Sequence, residues 1–179
     1  KSAAQQINTH LISGTRFDDL PSTDGTCYYR VTVVNAADSE SALSSQAVAT
    51  SDSTPPNVDI DYVPQGNFDP ATGRMAPGIV EILLTLNEPL LVKPFLSVTP
   101  ENGLPTPLDL VRESDLTYSS TFTISEDTPT GTAFVVFSGR DKVGNRGTEI
   151  TSGATLEIDT NGPVVREIII DPTGLIQND

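Results

Sequence analysis

The feature that most narrows what this chain can fold into is its punctuation. Runs of strand-forming residues recur roughly every 8–15 residues, and turn residues such as Gly, Pro, Asn, Asp or Ser separate them before a helical face can develop. With 13 Gly and 14 Pro in 179 residues, few windows could hold an uninterrupted helix. Several runs instead alternate with a period of two. Along Cys27–Val34, period two puts Cys27, Tyr29, Val31 and Val33 on one side and Tyr28, Arg30 and Thr32 on the other. Further on, Thr117, Ser119, Thr121 and Thr123 alternate with Tyr118, Phe122 and Ile124, and Ser120 interrupts the apolar side. The fold class expected is all-β, built from sandwich modules.

Three zones follow from the spacing of strands and breakers. Residues 1–51 hold the Cys27–Val34 strand, announced by the turn pair Asp24-Gly25, and a further strand near Ser45–Thr50. The linker Ser51-Asp52-Ser53-Thr54-Pro55-Pro56 is stiffened by its two prolines. Residues 52–160 hold seven expected strands: Val58–Val63, Ile79–Leu86, Phe95–Thr99, Pro107–Val111, Leu116–Ile124, Ala133–Gly139 and Ala154–Ile158. Seven strands in a zone of this length suit one sandwich. The stretch Phe68–Met75 reads as a turn-rich surface loop. Residues 161–179 are expected to form the first strand of a further module, over Val164–Ile170, or an exposed tail. Asp52-x-x-x-Pro56 and Asp159-x-x-x-Pro163 share one spacing, each ahead of a Val-containing strand, which is an internal repeat signal.

Composition excludes several function classes. The formal net charge of −14 repels phosphate backbones and anionic lipid, so neither nucleic acid nor a membrane surface is expected as a partner. No apolar run reaches the ~18 residues of a membrane span, and if the parent is exported its targeting segment is expected to lie outside this chain. Cys27 is the one cysteine, so no internal disulfide is available and the fold must stand on packing. Catalysis has little to build on. His10 is the one histidine, no Gly-x-Ser-x-Gly elbow accompanies it, and zinc spacing is missing. Cys27, in strand phase, reads as a small buried hydrophobe rather than half of a dyad with His10. The acid pairs Asp18-Asp19 and Asp59-x-Asp61 define no cleft. Without Trp, a carbohydrate platform is disfavoured. The chain is expected not to be an enzyme.

Two resemblances are carried by particular residues. Gly14–Pro21, Asp24–Ala36 and Glu40–Ser44 resemble strands E, F and G of a fibronectin type III domain. The family's corner tyrosine at the start of strand F is replaced by Cys27, so the corner hydrogen bond is either absent or made by a neighbour. The stretches Asp52–Pro56, Leu86–Leu90, Gly139–Asn145 and Ile158–Pro163 resemble the bacterial immunoglobulin-like repeats of large surface and adhesin proteins. The resemblance implies tandem immunoglobulin-like and fibronectin type III sandwiches in an extracellular or cell-surface bacterial protein. It implies a structural or adhesive array whose partners are its neighbouring modules. An accessory region of a secreted polysaccharide-degrading enzyme is an alternative. So is a filament subunit that self-associates by exchanging terminal strands, through Lys1–Leu20 or Asn161–Asp179.

The resemblance also implies a metal site. In an immunoglobulin-like sandwich the start of strand A and the B–C and F–G loops meet at one pole, and here those segments carry Asp52, Glu88, Asp141 and Asn145. Hard cations take several oxygens from separate loops, so calcium is the candidate cofactor, and Asp159 would repeat the part of Asp52. The competing reading is local. Asp52 and Asp159 cap turns, and Asp141-x-x-Gly144-Asn145 is a tight loop with Gly and Asn at positive φ. Lys142 and Arg146 beside that loop lower its negative charge.

Overall fold

The computed structural model describes residues 5–169, and among them there are strands and no helix. The chain divides into two compact units, Lys1–Pro55 and Pro56–Asp179, with the break inside the proline pair of the linker.

In the first unit, β1 (Gly25–Tyr29) pairs antiparallel with β2 (Ala47–Ser51), from Gly25 opposite Ser51 to Tyr29 opposite Ala47. After Tyr29 serine hydroxyls replace part of the ladder. Ser44 Oγ accepts the Val31 amide and Ser41 Oγ the Val33 amide, each at 3.0 Å, while the amides of Ser44 and Ser41 return bonds to the Val31 and Val33 carbonyls. The facing pattern slips at this point. Cys27 and Tyr29 are half-buried as expected, but Val31 and Val33 are 66% and 69% exposed, and Thr32 and Val34 take the sheltered side. The expected inward set is therefore corrected beyond Tyr29. A two-stranded sheet has no second layer to bury a face against, and no described residue before Pro56 is buried. The Tyr29 hydroxyl donates to Asp19 Oδ2 at 2.7 Å. Asp24, just before β1, fastens the end of the unit. It accepts the amide and hydroxyl of Ser53 at 2.7 Å each and the hydroxyl of Thr54.

The second unit is two sheets around one core. Its strands are β3 (Asn57–Pro64), β4 (Phe68–Asp69), β5 (Arg74–Met75), β6 (Gly78–Leu86), β7 (Phe95–Thr99), β8 (Thr106–Pro107), β9 (Val111–Arg112), β10 (Thr117–Ile124), β11 (Gly131–Arg140), β12 (Arg146–Gly147), β13 (Glu149–Ser152) and β14 (Thr155–Ile158). One sheet runs β13-β3-β6-β10-β9, and the other β4-β5-β14-β11-β7-β8, with β12 on β11. Alternation fills the space between them, as side chains of period two require. Ile82, Leu84 and Leu86 of β6 are 0%, 1% and 3% exposed and meet Leu96, Val98, Ala133, Phe137, Leu156 and Ile158 of the opposite sheet in one cluster. Ser120, the break in the apolar pattern of β10, is also buried, and its hydroxyl donates to the Asp109 carbonyl at 2.9 Å. That bond removes the cost of an unpaired buried hydroxyl.

Three expectations are corrected. Phe68–Met75 is a tight hairpin, not a plain loop: Asp69 holds the Ala71 amide and the Thr72 hydroxyl, and Met75 enters the core. Pro107–Val111 is not one strand, because the chain crosses there from β8 on one sheet to β9 on the other. A strand over Val164–Ile170 is not formed among the described residues. Positions 161–169 have no ladder partner, Val164, Val165, Ile168 and Ile169 are exposed, and Ile170 lies outside the described residues.

One side of the sandwich is closed by the first and last segments of the unit. β3 lies in the first sheet with β13 parallel beside it, Glu149 opposite Asn57 and Ile150 opposite Val58. Both segments then cross to the other sheet, where β5 and β14 again pair in parallel, Glu157 opposite Arg74 and Ile158 opposite Met75. The β3 edge is thus covered by β13 and the β14 edge by β5, with β13 and β4 as the outermost strands on this side. The crossing is tight. A side chain at Gly153, whose φ is +77°, would put its Cβ 2.1 Å from the Ile60 carbonyl oxygen, and one at Gly147 would put it 1.7 Å from the Pro56 carbonyl oxygen. Tyr62 seals the place by donating its hydroxyl to the Gly153 carbonyl at 2.5 Å.

Gly73 offers a control, since its φ is +73° but nothing lies within 4 Å of a Cβ there. Gly73→Ala is expected to cost about 1–2 kcal/mol, the backbone penalty alone, and Gly153→Ala roughly 2 kcal/mol more from the steric conflict. Urea unfolding of the two variants measures the difference. Equal costs would show that the crossing is not close-packed.

Candidate functional site

The two ends of the sandwich differ in what they collect. The start of β3, the end of β6, the start of β10 and the end of β11 lie at one pole, because Val58 faces Leu86, Thr117 faces Thr85 and Ser138 faces Phe95. The end of β3, the start of β6, the start of β11 and the end of β14 lie at the other, with Pro64 opposite Val80 and Gly131 opposite Ile158. The chain therefore joins the sandwich at the first pole and leaves it at the second.

Glu88, Asp141 and Asn145 are at the first pole. Asn87 fixes the turn that carries Glu88: its Oδ1 accepts the Asn57 amide at 2.7 Å, and its own amide donates to the Asn57 carbonyl. Leu90 then bridges Asp141, and the Leu91 amide donates to the Arg140 carbonyl at 2.8 Å. This brings carboxylate oxygens of Glu88 and Asp141 within 4.8 Å of each other. Glu88 is half-buried and its Oε1 is shielded from solvent.

Asp141 is 1% exposed and organises the loop that follows it. Its Oδ1 accepts three backbone amides, from Val143 at 2.9 Å, Gly144 at 2.6 Å and Asn145 at 2.8 Å, while Oδ2 accepts Asn145 Nδ2 at 2.8 Å. The Asp141 amide closes the turn on the Asn145 carbonyl at 3.1 Å. Positive φ falls on Gly144, at 109°, and not on Asn145. The asparagine is needed for its amide group, not for its backbone. Burial works against ionising Asp141, yet the amides of Gly144, Asn145 and Val143 and the side chain of Asn145 outweigh it and hold the carboxyl below its ordinary range. Seated in this way, Asp141 is a loop cap first.

Asp52 belongs to the first unit, where its Oδ1 accepts the Thr54 amide at 3.2 Å. Asp159 makes the same contact two residues on, with the Asn161 amide at 3.1 Å, and its Oδ2 pairs with Arg74 at 3.1 Å. The matched spacing of the two Asp-x-x-x-Pro stretches thus corresponds to matched turns. The Arg74–Asp159 pair could not be read from the sequence, since it joins positions 85 apart across the β5–β14 pairing.

The other singled-out residues lie elsewhere. His10 is exposed and Cys27 half-buried in the first unit. Asp18 pairs with Arg16 at 3.0 Å, Asp19 accepts from Tyr29, and Asp59 accepts the Ser152 hydroxyl at 2.8 Å. A hollow between Pro100–Leu108 and Thr121–Pro129 contains Asp109, tied to Lys93 at 2.5 Å, and Asp127, with no histidine or cysteine on its walls. Among the described residues no helix is long and apolar enough to cross a membrane. Comparison with protein families, with curated proteins and with solved structures finds no match.

The lowered Asp141 carboxyl gives a signed pH dependence. Its contribution is fully present above the unfolded value of about 3.9 and is lost as pH falls through the lower folded value. Asp141→Asn sets a second amide donor against Asn145 Nδ2. The stability gap between the variant and the parent protein is expected to be widest near neutral pH and to narrow as pH falls below the unfolded value and through the lower folded one. Denaturant titrations at several pH values measure it, and a gap that stays constant down to acid would remove the carboxylate from this role.

Proposed function

We propose that the chain is a non-catalytic stretch of an extracellular bacterial surface protein, in which the sandwich serves as a spacer that carries tension between neighbouring modules. One observation carries the reading. The first and last segments of the second unit pair with each other in parallel, in both sheets, while the chain joins and leaves at opposite poles. A pull on the two ends then slides these ladders along their length, and several hydrogen bonds must fail together. Pulling from a single pole would open them one at a time. The strand order suits the reading as well. Taking β3, β6, β10 and β9 as A, B, E and D, and β14, β11 and β7 as G, F and C, gives the two sheets of an immunoglobulin-like sandwich. The matched turns at Asp52 and Asp159 support a repeating array.

Calcium is the cofactor of this proposal, seated between Glu88 and Asp141, where it would brace the loaded pole.

Force spectroscopy with handles at Asn57 and Thr160 tests the reading. A single event releasing about 35 nm of chain is expected, at higher force than when the handles are at Gln65 and Thr160, both at one pole. A chelator is expected to lower that force. Equal forces in the two geometries would refute the spacer under tension, and a force indifferent to chelator would remove only the cation.

A further inference from the structure

The chain contains two Asn-Gly pairs, Asn102-Gly103 and Asn161-Gly162, and the fold treats them differently. In such a pair the glycine amide nitrogen can attack the asparagine side-chain carbonyl, because no Cβ on the following residue obstructs its approach. A bond forms from that nitrogen to Cγ, the Cγ–Nδ2 bond breaks, and ammonia departs with the amide proton. Water then opens the five-membered ring at either carbonyl to leave aspartate or isoaspartate. Overall one water is consumed and one ammonia released, with no oxidant or enzyme.

At the first pair this path is blocked. Asn102 is held at a φ of 56°, and the Gly103 amide is committed to the Pro100 carbonyl at 2.9 Å. At the second, the backbone has left the sandwich. Asn161 and Gly162 are both exposed, nothing lies within 4 Å of the Gly162 Cβ position, and among the described residues the Gly162 amide and the Asn161 side chain have no hydrogen-bond partner. Among the described residues, the hydrogen bond at this pair is the Asn161 amide on Asp159, which leaves the reacting atoms untouched.

We infer that Asn161 is a self-modification site, converting slowly to aspartate and isoaspartate in the folded protein while Asn102 is protected. The product adds a negative charge two residues after Asp159, and the isoaspartyl form lengthens the backbone where the chain leaves the sandwich. The inference does not depend on the proposed function.

Incubating the intact chain at mildly alkaline pH and mapping tryptic peptides tests it. The peptide Gly147–Arg166 contains Asn161 as its one asparagine. Native protein is expected to convert Asn161 about ten-fold or more faster than Asn102, the protection that a modestly stable turn provides, and the two rates should converge in denaturant. Gly162→Ala, at a position with room for a Cβ, should slow Asn161 while leaving the melting temperature unchanged. Equal native rates at the two sites, a difference that persists in denaturant, or conversion at Asn161 indifferent to Gly162→Ala would each overturn the inference.

Discussion

Closure of the sandwich along the side where its two terminal segments meet is the constraint on which the rest depends. An antiparallel sandwich with open edges exposes unpaired amides and carbonyls and invites pairing with other chains. Here β3 and β13 shield one sheet, and β5 and β14 shield the other. The last segment passes from one layer to the other at Gly153, against the Ile60 carbonyl. The crossing needs a residue without a Cβ and with positive φ, and it needs Tyr62 to satisfy the Gly153 carbonyl. Burial pushes the Tyr62 phenol upward, so that hydroxyl stays a donor through the neutral range.

The poles follow from this closure. Because the terminal segments run parallel, the unit is joined at one end and left at the other, whatever the loops contain. The loops then take up separate tasks. At the first pole Asp141 uses most of its hydrogen-bonding capacity on its own loop. At the second, Asp159 is held by Arg74 and caps the turn that releases the chain. The acidic character that looks like one surface property in the composition is thus divided between caps, ion pairs and solvated side chains. Asp69 and Asp109 are further examples, one lowered by the Thr72 hydroxyl in its hairpin and the other by Lys93.

Much of this fold was legible in the sequence, and the misses share a cause. Period two located β6, β10 and β11 well, because each is flanked by partners on both sides and has one buried face. It misjudged Val31 and Val33, where serine hydroxyls interrupt the ladder and no second layer holds the register. It also passed over β13 and joined β8 to β9, since a strand that changes sheets obeys no single alternation. At the candidate site, Glu88, Asp141 and Asn145 share a pole. The division of labour inside the Asp141 loop depends on which lone pair meets which amide, which residue spacing does not encode. Gly153 carried a readable signal as a lone glycine between two strand-like runs, but its necessity appears only against Ile60, ninety-three residues earlier.

Native-state hydrogen exchange of the second unit is the most direct test of closure. If the terminal segments are integral to the sandwich, amides of β3 and β13 will exchange only through the same global opening as those of β6 and β11, with the same denaturant dependence. If β13 exchanges at the rate of an open loop while β6 and β11 remain protected, the last segment merely rests on the sandwich and the account fails.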